Sequence, residues 1–91
     1  QSKALEDADF VYVKNWSAFN DYGKILCTDS RWMLTENHFK HAPEGKVMHC
    51  LPVRRNLELS DEILDSSRSL VQKQAKNRIY AAQAVLSKIL G

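Results

Sequence analysis

The sequence predicts an α/β chain with a parallel sheet, ending in a long amphipathic helix. Three features carry that prediction: the run Phe10-Val11-Tyr12-Val13, a second run Lys46-Val47-Met48-His49-Cys50-Leu51 stopped by Pro52, and a helical period from Gln72 onward. Continuous β-favouring runs of this length fit strands covered on both faces, as in a parallel sheet. Alternation of strand and helix signals gives the class. With 91 residues the chain has room for one compact unit, and none for separate cofactor and substrate domains.

Taken in order, Ala4 to Ala8 reads as an acidic helical tail that Asp9 breaks before the first strand. The opening Gln1-Ser2-Lys3-Ala4-Leu5 has no initiator Met and suggests a helix already under way, hence a piece of a longer chain. Trp16 to Asp29 has no sustained period and reads as an irregular loop; loops this long inside a compact unit are usually functional. Ser30 to Phe39 is expected to be helical, capped by Asp29 or Ser30, with Trp32, Met33 and Leu34 as its apolar positions and Pro43-Glu44-Gly45 closing it. Pro52 removes a ladder donor and ends the second strand at Leu51. Ser60-Asp61-Glu62 is a helix start, a hydroxyl cap followed by two carboxylates in the first turn, and Asp65-Ser66-Ser67 keeps that helix short. Ser69-Leu70-Val71 is expected to be a third, minimal strand. Beyond it Ala75, Ile79, Ala82, Leu86 and Ile89 recur three or four apart and form a stripe that should be buried, with Arg78, Gln83 and Lys88 off its line.

Composition narrows the function classes. Thirteen basic and eleven acidic side chains leave a net charge of +2, too small and too evenly spread for a nucleic-acid footprint. No run approaches the roughly 20 apolar residues of a membrane span, and no basic segment precedes an apolar one at the start, so the chain reads as soluble and cytoplasmic. Cys27 and Cys50 are expected to be free thiols of a reducing compartment. His38, His41, His49 and the cysteines reproduce no zinc-finger spacing, so no metal is expected. Gly23, Gly45 and Gly91 make no phosphate-cradling loop, and no serine sits in a glycine-flanked elbow.

In an open parallel sheet, ligands bind outside the carboxyl ends of the strands. That rule singles out Lys14-Asn15-Trp16-Ser17 after the first strand and His49-Cys50-Leu51-Pro52-Val53-Arg54-Arg55-Asn56 after the second. A bend at Leu51-Pro52 frees backbone carbonyls that a substrate amine can satisfy, and Arg54 with Arg55 can pair with a carboxylate or phosphate. Each feature has a plainer reading: Cys50 as a small core hydrophobe, Arg54-Arg55 as a solvated pair, Arg78 as a surface residue.

Met48-His49-Cys50-Leu51-Pro52, then Val53-Arg54-Arg55-Asn56, Ser60-Asp61-Glu62 and Asn77-Arg78, resembles the carboxyl end of the aspartate/ornithine carbamoyltransferase superfamily, along the whole chain. The His-Cys-Leu-Pro element is similar to the ornithine branch; the aspartate branch has His-Pro-Leu-Pro. Ornithine enzymes usually continue with Ala-His-Arg-Gly, where Val53-Arg54-Arg55-Asn56 stands here, and carry an Asp where Lys14-Asn15-Trp16 stands. Both departures resemble the N-acetylornithine and N-succinylornithine carbamoyltransferases, whose blocked amine needs no carboxylate partner.

The resemblance implies that Cys50 and the main-chain carbonyl of Leu51 meet the attacking amine and the carbamoyl group, and that Arg78 hydrogen-bonds the carbamoyl oxygen. It also implies that Lys14, His49, Arg54 and Glu58 bind the acylated amino acid, Glu58 standing where some acetylornithine-type relatives have a lysine. Residues 1–91 are then the C-terminal portion of the amino-acid-binding domain, the C-terminal part of a doubly wound α/β parallel-sheet fold, and the carbamoyl phosphate signature, Ser-x-Arg-Thr at a helix start, belongs to an N-terminal portion outside this chain. Substrates would be carbamoyl phosphate and an Nα-acylornithine, in arginine biosynthesis, with no cofactor. The assembly implied is a homotrimer, and the acylornithine branch has a knotted chain in this region, to which the loop from Trp16 to Asp29 would belong. An ordinary ornithine carbamoyltransferase is the rival, opposed by Lys14-Asn15-Trp16 and Arg54-Arg55-Asn56. A noncatalytic α/β binding module is the alternative from another class.

Overall fold

The computed structural model describes residues 1–16, 19–22, 24–25 and 28–91. Its centre is a parallel pair of strands, β1 (Phe10–Val13) and β2 (Lys46–His49), in the register Phe10↔Lys46 to Val13↔His49. Because the strands are parallel, Lys14-Asn15 and Cys50-Leu51 leave the sheet at the same edge. The helices are α1 (Asp61–Leu64) and α2 (Val71–Leu90). The α/β class with a parallel sheet and a long terminal helix is therefore present.

The core lies on the Val11/Val13 side of the sheet. Leu5, Leu34, Phe39, Ala42, Val47, Leu59 and Ile63 form one cluster, with Val11, Val13, Val53 and Leu64 packed against it. Val47, Leu59 and Ile63 are fully shielded, each contributing on the order of 1.5–3 kcal/mol of burial. They fix β2, the segment after the Pro52 turn and α1 against one another. Ser60 caps α1 as its residue type demands, its hydroxyl accepting from the Ile63 N–H. Gly45, just before β2, sits where a Cβ would lie 2.9 Å from the Ala8 carbonyl oxygen. Only glycine lets the chain pass there.

Arg68 ties the segment between the strands to the core. Its guanidinium donates to the carbonyls of Pro43 and Gly45, pairs with Glu36, and lies 4.2 Å above the Phe39 ring centroid.

Several expectations need correction. The tail expected over Ala4 to Ala8 is a single 3-10 turn, Lys3–Leu5. Ser30 to Phe39 is not one helix but two 3-10 turns, Ser30–Trp32 capped by Asp29 and Glu36–Phe39 opened by a Thr35–His38 capping box. Leu34 between them is extended, its N–H donating to the Glu58 carbonyl and its own carbonyl accepting from Ser60, which is incompatible with a continuing helix. The second strand stops at His49, two residues short of Leu51. The third strand reduces to a bridge between Val47 and Ser69, because the Leu70 carbonyl is already taken by the Gln74 N–H as α2 begins.

Burial on both faces of β1 is not seen either: Phe10 is 64% and Tyr12 55% exposed. The stripe of α2 is likewise open, with Ile79 60% and Ile89 72% exposed, since α2 packs on β2 through its first turns alone, where Val71 is buried. No helix among the described residues is long and apolar enough to cross a membrane. The loop from Trp16 to Asp29 lies partly outside the described residues, as does Cys27.

Candidate functional site

Both strands deliver polar residues to one edge, and the turn at residues 50–52 is their meeting point. Just past the end of β2, His49 turns back on its own chain: its Nδ1 accepts from the Leu51 N–H at 2.9 Å. Leu51 is thereby held at φ 59°, followed by a cis bond to Pro52. A leucine in the left-handed region is strained, and strain of this kind clusters where structure serves function.

Since Nδ1 is an acceptor, the imidazole proton sits on Nε2, which faces Glu58 Oε1 and Asn15 Oδ1, each at 3.2 Å. Glu58 Oε1 also accepts from the Arg54 N–H at 2.8 Å. One carboxylate oxygen thus holds both ends of the turn, residue 51 through His49 and residue 54 directly. Asn15 completes the frame, its Nδ2 donating to the Pro52 carbonyl at 2.9 Å and lashing the first loop to the second.

Two hollows open on either side of this turn and share Cys50 and Leu51. The larger, of about 370 Å³, has Lys14, Asn15 and Tyr22 on one wall and Pro52 with Arg54 on the other. The smaller, of about 230 Å³, runs under Tyr12 to Gln74, Ala75 and Arg78 on α2. Lys14 and Arg54 therefore face one space, Arg78 another, and Cys50 with Leu51 stands between them. Cys50 is an exposed free thiol, so it is not a core hydrophobe. Glu58 and the His49 side chain are almost wholly buried, and Glu58 lines neither of these two hollows.

Beyond the turn, Arg55 clasps α1, its guanidinium reaching Asp61 at 2.7 Å and Asp65 at 3.0 Å. Asn56 adds bonds to the Asp61 carboxylate and N–H. The Arg55 hydrogen bond first, and that of Asn56 second, hold the Asp61 carboxyl below its ordinary pKa. Arg55 is thus occupied as a clamp, whereas Arg54 faces the larger hollow. Reading the pair as adjacent cations had not separated these roles.

Sequence reasoning named Asn15 only within its loop and passed over Gln74 and Tyr12. Gln74 donates from Nε2 to the Tyr12 hydroxyl and accepts from the His49 N–H. The one local signal for Gln74 was its spacing, four residues before Arg78 on the same helical face.

Residues 1–89 match the family model described as aspartate/ornithine carbamoyltransferase, Asp/Orn binding domain. The chain is 42% identical over 92 residues to an N-succinylornithine carbamoyltransferase of Bacteroides fragilis (strain 638R), covering 99% of this chain and 29% of that protein. To an ornithine carbamoyltransferase of Methanopyrus kandleri it is 36% identical over 93 residues, covering 98% of this chain and 30% of that one. Among solved structures it is similar to a crystal structure of N-acetyl-L-ornithine transcarbamylase, with a TM-score of 0.81 and 28% identity over 96% of this chain and 28% of the other. The chain spans about three tenths of the length of the curated relatives it matches.

Proposed function

The chain belongs to the aspartate/ornithine carbamoyltransferase family, in its Asp/Orn-binding domain, and from that premise we propose that it is part of an enzyme transferring a carbamoyl group from carbamoyl phosphate to the δ-amine of an Nα-acylated ornithine. The observation that carries this reading is the pair of hollows sharing Cys50 and Leu51. A transferase must bring two substrates together at one point, and here an arginine borders one space while Lys14 and Arg54 border the other.

In the proposed reaction the δ-nitrogen lone pair forms a C–N bond to the carbamoyl carbon. The C–O bond to phosphate breaks, phosphate leaves with the bonding pair, and the nitrogen sheds a proton. Charge builds on the carbamoyl oxygen, where Arg78 is the donor; preorganised donors to such an oxygen are commonly the largest single contribution. The Leu51 carbonyl accepts from the attacking amine and orients it, with Cys50 beside it, which is worth most when the amine arrives already aligned. Lys14 and Arg54 grip the acylated amino-acid end. His49 and Glu58 contribute by holding the turn.

An acylated acceptor is supported by Lys14 and Asn15 at the wall where a free α-amino group would want a carboxylate, and by the N-succinylornithine relatives. The carbamoyl phosphate site, the remainder of the protein that covers α2 and the outer face of β1, a homotrimeric assembly, a cytoplasmic setting and a place in arginine biosynthesis belong to the same proposal.

The test is a comparison of acceptors with the full-length enzyme. Carbamoylation of N-acetyl- or N-succinylornithine should exceed that of free ornithine by orders of magnitude in kcat/KM. Comparable rates would assign it to the ornithine enzymes, and turnover of none of the three would leave a noncatalytic module.

A further inference from the structure

The His49 N–H faces a gap that a third strand would ordinarily fill. Val47, two residues earlier, donates its N–H outward to the Arg68 carbonyl, and along a strand donors two apart point the same way. The next carbonyl on that side, Leu70, is turned into α2 and accepts from the Gln74 N–H at 2.8 Å. The side chain of Gln74 takes its place: Oε1 accepts from the His49 N–H at 3.0 Å. The other end of the same amide donates to the Tyr12 hydroxyl at 3.3 Å, across 62 residues of sequence.

One side chain thus joins β2 at the residue before Cys50, β1 two residues before Lys14, and the helix that bears Arg78. Within residues 1–91, α2 meets the sheet through its first turns. Among the described residues α2 is buried only at Val71 and half-buried at Gln74 and Ala75; every position from Lys76 on is exposed. Arg78 stands one turn, about 6 Å, beyond Gln74. Among the described residues, its distance to the Cys50-Leu51 turn depends on how the first turn of α2 is pinned to the end of β2.

We propose that Gln74 is a positioning residue that sets Arg78 against the Cys50-Leu51 turn, by standing in for the missing strand carbonyl at His49. This rests on the carbamoyl-transfer reading above. A displacement near 1 Å between a donor and its reacting oxygen costs roughly 10²-fold in rate, so the anchor acts on turnover more than on acceptor binding.

The experiment uses the full-length enzyme with carbamoyl phosphate and N-acetyl-, N-succinyl- or free ornithine. Gln74→Leu, which keeps the bulk and loses both bonds, is expected to lower kcat about 10- to 100-fold while the acceptor KM stays within about threefold. Gln74→Glu, which keeps an acceptor for the His49 N–H and can accept a hydrogen bond from the Tyr12 hydroxyl, is expected to recover most of that loss. Tyr12→Phe, which removes only the weaker bond, should cost a few-fold at most. Wild-type turnover with an unchanged kcat in Gln74→Leu overturns the assignment of Gln74 alone. So does a loss that Gln74→Glu does not recover, or one that tracks a fall in melting temperature, since Gln74 would then be structural. Absence of wild-type turnover with all three acceptors overturns the functional reading and this proposal with it.

Discussion

Glu58 Oε1 lies 3.2 Å from His49 Nε2 with both side chains sealed from solvent, and the same oxygen lies 2.8 Å from the Arg54 N–H. The proposed substrate-facing turn is therefore held from behind, by a carboxylate that does not line the spaces meeting at that turn.

Removing that carboxylate takes the acceptor from the part-buried Arg54 N–H and leaves His49 Nε2 with Asn15 Oδ1 alone. Glu58→Ala should destabilise the protein by roughly 1–3 kcal/mol, the cost of the one donor left unpaired, whereas Glu58→Gln retains an acceptor oxygen and should lose less. Thermal unfolding of both variants checks the order. Equal midpoints for Ala and Gln would mean that the His49 and Arg54 bonds contribute nothing particular.

Two arginines on the same chain offer a contrast in what an ion pair is worth. Arg68 is largely buried, donates to main-chain carbonyls and Glu36, and covers the Phe39 ring. Arg55 stands in solvent with Asp61 and Asp65. Arg68→Met should cost several kcal/mol, since it leaves carbonyls and a carboxylate without their donor, while Arg55→Met should barely move the unfolding midpoint. Denaturant unfolding of the pair tests the ranking.

The parts of this fold that were legible in the sequence are those fixed by local chemistry. Phe10 to Val13 is a strand because its residues favour one; Ser60 caps α1 because its hydroxyl reaches the next turn; α2 follows its period. What was not legible depends on distant partners. Nothing near Leu51 announces a left-handed backbone, which exists because a histidine two residues earlier takes its N–H. Ser69 to Val71 has strand-forming residues, yet the start of α2 consumes the carbonyl that would extend the ladder. The period of α2 reports that one face is apolar and cannot report what covers it. At the site, the residues around His49-Cys50-Leu51-Pro52 were visible, but the anchoring bonds of Glu58, Asn15 and Gln74 span 9, 34 and 25 residues.

The Arg55 clamp on α1 predicts an acid dependence. Asp61 is held below its ordinary pKa by Arg55 and Asn56, so the unfolded chain binds a proton more readily than the folded one as pH falls. The stabilisation is present above the ordinary Asp value and is lost as pH drops from about 4 through the lowered folded value. Asp61→Asn should flatten the melting-temperature profile in that range and leave its slope near neutrality unchanged. A profile that superposes on that of the wild type below pH 4 would mean the pairing adds nothing to stability.

Arg78 gives the most direct test of the proposed chemistry. Among the described residues of this chain it packs on no neighbour, standing on the exposed part of α2, and it borders the smaller hollow together with Leu51 and Cys50. A substitution that removes no packed contact or buried bond ordinarily shifts stability by no more than about 0.5 kcal/mol. Loss of a preorganised donor to a developing oxyanion, by contrast, costs on the order of 10²–10³ in turnover. Arg78→Ala in the full-length enzyme is accordingly expected to lower kcat at least a hundredfold while the melting temperature changes little. Arg78→Lys keeps the charge but not the planar fork, and should recover only part of that loss. Activity that survives Arg78→Ala, or falls only in step with the melting temperature, would make Arg78 structural and move the oxyanion donor elsewhere on the protein.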